Sequence, residues 1–154
     1  MLSTDRKVFD ENSQVRQRLF SYGNLVDRLD IIVFNTENEP FRKSKLSSNV
    51  YLHPTNSRNK LFYFFDAIKI VKIRFELKKK EDIDSTNSQK RKIDLVTAQD
   101  SSEVGLIAWV IAKKLKAKLE LQVHTDLLYI FGSQYPRLQA IVLISVIYSR
   151  YVVI

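Results

Sequence analysis

The sequence predicts an α/β fold built on a parallel sheet, and three observations carry that expectation. Across residues 94–123 a short strand, a long apolar helix and another short strand follow one another with brief connections. Upstream, an amphipathic helix runs into residues 30–34, a continuous β-branched stretch of the kind found in strands covered on both faces. A third short strand is expected at residues 50–52. Strand, helix, strand with short links is the βαβ unit, and its repetition puts helices on both faces of a parallel sheet. With 154 residues there is enough chain for one core.

Taken in order, residues 3–7 are polar, so the chain opens without the apolar run of a cleavable signal peptide. Residues 11–29 repeat Val15, Leu19, Tyr22, Val26 and Leu29 at helical spacing. Asn12 or Ser13 is the expected N-cap, because a short side-chain oxygen can accept from an unpaired amide of the first turn. Residues 35–48, rich in Asn, Glu, Pro and Ser, predict a loop, and Pro54, which lacks an amide hydrogen, ends the strand at 50–52.

Residues 60–80 form the most apolar helix candidate. Leu61, Phe64, Phe65, Ile68, Val71 and Phe75 make one stripe, and Phe62, Ile70, Ile73 and Leu77 make a second at another angle. Two apolar faces require two partners. Either a sheet and a neighbouring helix cover them, or one face, flanked by Lys69, Lys72, Arg74 and Lys78, meets an anionic membrane. Residues 81–92 are a solvated loop, and residues 94–98 a buried strand. Asp100 and Glu103 are spaced like a capping box ahead of a helix at 104–115, whose terminal Lys113, Lys114 and Lys116 complement the helix dipole. Leu119, Leu121 and Val123 supply the next strand, closing at His124.

Composition removes whole classes of chemistry. There is no cysteine, hence no disulfide, thiolate nucleophile or cysteine-ligated zinc, which suits a reducing, cytoplasmic setting. Two histidines cannot build a three-histidine zinc site, and Gly23, Gly105 and Gly132 are too far apart for a glycine-rich phosphate loop. A hydrophobic content of 45% argues against a disordered chain. The formal charge of +8 admits an anionic partner, or simply a solvated basic surface.

Ligands of parallel α/β sheets bind outside the carboxyl ends of the strands. The polar groups expected there are Thr4, Asp5 and Arg6; Asn35 and Thr36; His53 and Thr55; Gln99 and Asp100; and His124, Thr125 and Asp126. None forms a recognisable nucleophile–base pair, and neither Ser101 nor Ser102 sits in a glycine-flanked nucleophile elbow. A lone histidine at a strand end serves structure as readily as chemistry, and Asp100 reads equally well as a helix cap.

Residues 94–128 resemble the amino-terminal domain of family-four glycosyltransferases, retaining enzymes of the GT-B architecture. The resemblance is carried by the turn Thr97, Ala98, Gln99, Asp100, by a helix that spaces Glu103, Gly105, Leu106, Ala108, Ala112 and Leu115 as that family does, and by Val123, His124, Thr125, Asp126 after the next strand. It extends over about residues 2–128 and implies one Rossmann-like lobe, residues 1–128, of a two-lobed enzyme that moves a sugar from a nucleotide-sugar donor to a glycan or lipid-linked acceptor. By this resemblance His124 is the catalytic-side residue next to the transferred sugar, and Asp5, Arg6, Gln99, Asp100, Thr125 and Asp126 line or hold the substrate cleft. No metal or other cofactor is implied.

The family's second lobe, which carries the nucleotide-sugar site and a pair of glutamates, has no counterpart in 154 residues, so the isolated chain is expected to be an inactive fragment. Residues 129–154 depart from the family pattern as an apolar tail, as an out-of-frame continuation would; its stretch 138–154 is short for a bilayer span and is interrupted by Arg150. The rival from another class is a basic binding module without catalysis, for an anionic membrane or nucleic acid. Nucleic acid is the less expected of the two, because the aromatics cluster at 62–65 with helical spacing instead of alternating along an exposed strand. Either reading is compatible with a protein held peripherally at the inner face of a membrane.

Overall fold

A computed structural model describes residues 1–76, 92–99 and 103–122. Its strands are β1 (Leu2–Ser3), β2 (Leu29–Val33), β3 (Ser44–Lys45), β4 (Val50–Pro54), β5 (Leu95–Ala98) and β6 (Lys118–Leu121). Three α-helices lie among the described residues: α1 (Gln14–Gly23), α2 (Tyr63–Val71) and α3 (Glu103–Leu115). The sheet order is β3-β4-β2-β1-β5-β6, with β3 antiparallel to β4 and the β2–β4, β1–β5 and β5–β6 pairs parallel. The amides of Ile32 and Phe34 donate to the carbonyls of Met1 and Ser3, so β1 and β2 also advance together. Without the antiparallel edge strand, the order is the 3-2-1-4-5 of doubly wound sheets, and the α/β fold is compatible with a Rossmann-like one.

The chain divides into two compact units, Met1 with Ser3–Lys92 and Leu2 with Ile93–Ile154. In the first, β2 and β4 pair from Leu29↔Val50 to Val33↔Pro54. Alternation along these strands sends Ile31, Val33, Val50 and Leu52 to one face, where they pack with Leu19 of α1 and Val8 in an aliphatic core. On the other face Phe34 meets the ring of Tyr63 at 5.2 Å between centroids, and α2 buries Ala67 and Val71.

Local chemistry sets the element ends. The Ser13 hydroxyl caps α1 by accepting from the Arg16 amide at 3.1 Å. The helix stops at Gly23 instead of running to residue 29 because the Asn49 side chain takes the carbonyls of Gly23 and Val26, at 2.7 and 2.8 Å. A Cβ on Gly23 would fall well inside contact distance of Val50 Cγ2, so glycine is what allows α1 to approach β4 this closely.

The helix expected from residue 60 opens as a tight 3₁₀ turn, Lys60–Phe62, with Asn59 accepting from the Leu61 amide at 3.0 Å. It widens after Val71 into a π turn, Lys72–Glu76. Its buried residues are Ala67 and Val71; Val71 belongs to the first stripe expected from hydropathy, whereas Leu61 and Phe65 of that same stripe are exposed. The remainder of the helix expected to residue 80, and the loop expected at 81–92 except for Lys92, fall in residues 77–91, outside the described residues.

In the second unit β5 and β6 pair in the register Val96↔Leu119 and Ala98↔Leu121. Those four side chains are buried, as are Val104, Ile107, Ala108 and Ile111 of α3. The helix ends in a Schellman arrangement: Ala117 donates to the Ala112 carbonyl at 3.0 Å and Lys116 to that of Lys113 at 3.3 Å. Lys116 holds the left-handed position this motif needs, with φ 55°. No helix among the described residues is long and apolar enough to cross a membrane.

Candidate functional site

Of the seven site residues implied by the family resemblance, three lie among the described residues: Asp5, Arg6 and Gln99. Asp5 and Arg6 follow the carboxyl end of β1. The Asp5 carboxylate accepts from the Lys7 amide at 3.0 Å and so caps the short turn Arg6–Phe9. Arg6 makes an exposed ion pair with Glu39. Beside it, Phe9 and Phe41 stack with centroids 4.2 Å apart, so the segment after β2 folds back over the first turn. Gln99 follows β5 in the second unit, and its amide donates to the Leu2 carbonyl at 3.2 Å. Asp100, His124, Thr125 and Asp126 lie outside the described residues.

At the carboxyl ends of β2 and β4 the polar residues bind one another. Fully buried Asn35 donates to the Glu39 carbonyl at 2.8 Å, and its side-chain oxygen accepts from the Asn56 amide at 3.0 Å. Thr55 exchanges hydrogen bonds with the Asn35 main chain, receiving at 3.1 Å and donating at 3.0 Å. Asn56, at φ 45°, ties down Phe41 through both its amide and its carbonyl. Asparagine is among the few residues that tolerate this left-handed backbone. The knot fixes a loop. The Ser57 amide joins it by donating to the Asn35 carbonyl at 3.0 Å, while its buried side-chain oxygen has no hydrogen bond among the described residues.

A charged cluster lies on the α2-facing side of the β2–β4 pair. Parity puts Asp30 and Ile32 of β2 on the same face as Tyr51 and His53 of β4. His53 Nε2 is 2.8 Å from Asp30 Oδ1, and a carboxylate only accepts, so this ring nitrogen carries the hydrogen and donates. Arg28 grips the same carboxylate with two nitrogens, at 2.6 and 3.1 Å. Arg74, delivered by the π turn, comes within 4.0 Å of it. Arg28 and Arg74 lie 4.5 and 5.6 Å from the Tyr51 ring centroid. Burial alone would raise the Asp30 pKa; the hydrogen bonds and charges of His53 and Arg28 outweigh it and hold the carboxyl well below the ordinary range.

This cluster was not expected from sequence, where Asp30 opened a strand and His53 was a candidate for a ligand-facing strand end. The available signal was parity: a charged residue in a β-branched run, sharing a face with the neighbouring strand's histidine. Chemically it is a cross-strand clamp. His53 is buried, its Nε2 is committed to Asp30, and Asp30 sits near the amino end of β2, away from the carboxyl ends where such sheets bind ligands. Among the described residues no three metal-binding side chains converge. Comparison with protein-family models, curated proteins and solved structures finds no match to this chain.

Proposed function

We propose that this chain is the acceptor-side, amino-terminal lobe of a GT-B glycosyltransferase of the family-four type. The observation that supports it best is the doubly wound strand order together with the βαβ unit at its end. That unit, β5, α3 and β6, frames the motif-bearing stretch: β5 leads into Gln99, α3 opens at Glu103, and β6 ends two residues before Val123 and His124. In this reading His124 donates a hydrogen bond to a sugar hydroxyl, or to charge that develops there during transfer. Thr125 and Asp126 hold its loop, and Gln99 and Asp100 shape the turn beside it.

Asp5 and Arg6 contribute less directly, since one caps a turn and the other pairs with Glu39. The acceptor is a glycan or a lipid-linked sugar, and the nucleotide-sugar donor belongs to a second lobe that these residues do not supply. A cytoplasmic setting suits a chain without cysteine.

Saturation-transfer NMR on the full chain tests this reading. A panel of glycosides and a short polyprenyl-phosphate sugar is expected to include at least one binder, with its signal lost in His124→Ala and no signal from nucleotide sugars. Absence of any glycan signal, or a signal unchanged in both His124→Ala and Asp126→Asn, would overturn it.

A further inference from the structure

The outward face of the Lys60–Phe62 turn and α2 carries bulky apolar side chains in the open. Leu61 is 83% exposed, Phe65 65%, Ile73 44% and Phe62 43%. Leu61, Phe65, Lys69 and Ile73 recur every four residues, so they lie along one side of the helix, opposite buried Ala67 and Val71. Phe65 contacts both neighbouring rings, Phe62 at 6.5 Å and Phe64 edge-on at 5.5 Å between centroids. The rings are therefore already grouped.

The exposed charges along this stretch have one sign. Arg58, Lys60, Lys69 and Lys72 are exposed, and between residues 58 and 73 no acidic residue is exposed, Asp66 being half-buried. Arg74, which sequence alone put on this face, turns inward to Asp30 and Tyr51. We propose that this face is a docking surface for an anionic lipid bilayer. Leu61, Phe62 and Phe65 enter the headgroup–acyl boundary while Arg58, Lys60, Lys69 and Lys72 remain at the level of the lipid charges.

Charge decides against the other occupants. A second copy of this chain would set four cations against four, and a nucleic acid would gain nothing from Leu61 and Ile73, which cannot stack on bases. The inference rests on this face alone and stands or falls independently of glycosyl transfer.

Vesicle flotation of the full chain tests it. The chain should float with vesicles containing an anionic lipid, not with zwitterionic ones, and release as salt rises. Leu61→Glu/Phe65→Glu should abolish flotation. Lys69→Glu/Lys72→Glu should lower the partition coefficient by roughly 25-fold or more, on the order of fivefold for each lysine lost. Phe65→Trp should keep binding and have its emission quenched by brominated acyl chains. The proposal is overturned by failure to float on anionic vesicles at low salt, by equal flotation on zwitterionic ones, or by binding that survives the Leu61→Glu/Phe65→Glu change. Self-association that this double change abolishes, without lipid binding, would also overturn it.

Discussion

The two faces of the β2–β4 pair use the same strands and the same register to opposite ends. One face is aliphatic: Ile31, Val33, Val50 and Leu52 close against Leu19 and Val8. The other carries Asp30, Tyr51 and His53, with Arg28 and Arg74 drawn over them. The aliphatic face is held by area removed from water, a term nearly indifferent to pH and modest salt. The polar face depends on the ionisation of one carboxylate. A parallel ladder fixes which side chains share a face, while the kind of interaction is chosen by sequence parity alone.

The largest effect is expected at Asp30. Asp30→Ala leaves His53 and Arg28 without their shared anion in a largely buried place and should cost about 3–4 kcal/mol in urea unfolding. The carboxyl's folded-state pKa is depressed, so its stabilisation is complete above the unfolded-state value near 3.8 and is lost as pH falls below it toward the folded-state value. The gap between wild type and Asp30→Ala should therefore be widest near neutrality and shrink below about pH 4. A gap of the same size at pH 7 and pH 2.5 would show that the carboxylate's charge is not what holds this face.

On the aliphatic face, Leu19→Ala should cost about 3 kcal/mol through lost burial and the cavity left behind. Unlike the Asp30 effect, this cost should be unchanged between pH 7 and pH 3. Gly23→Ala should cost about 2 kcal/mol by forcing a methyl into Val50. The double variant Gly23→Ala/Val50→Ala should recover part of that loss, because the new methyl then occupies the space Val50 vacates; strict additivity would place the strain elsewhere.

How much of this was legible follows from where each signal resides. The helix expected at 104–115 is α3 with one residue added, and the strand expected at 94–98 loses only Asp94. Both rest on dense local apolar patterns with brief links. The first helix ran six residues too far because its terminator, Asn49, is distant in sequence. β3 was hidden inside a predicted loop: Ser44 and Lys45 are exposed and polar, and their pairing comes from the turn that carries the Leu46 amide back to the Val50 carbonyl. Nor could hydropathy show that Asp5 caps a turn, that Arg6 finds Glu39, or that Arg74 turns inward; each depends on a partner at a distance or on the π turn.

The smallest effect separates charge from ring within the polar face. The Tyr51 hydroxyl makes one long hydrogen bond, to the Ser48 carbonyl at 3.3 Å, whereas its ring lies under Arg28 and Arg74, with Lys45 5.4 Å from its centroid. Tyr51→Phe keeps the ring and should change stability by less than about 0.5 kcal/mol, while Tyr51→Leu removes the quadrupole and should cost about 1 kcal/mol. Both Asp30 and Tyr51 hold the same two guanidinium groups, so their losses should not add. In an Asp30→Ala background the arginines are no longer held over the ring, and Tyr51→Leu should then cost measurably less than in wild type. An undiminished cost would mean that the ring packs for its area alone, and the polar face would then resemble the aliphatic one more closely than its charges suggest.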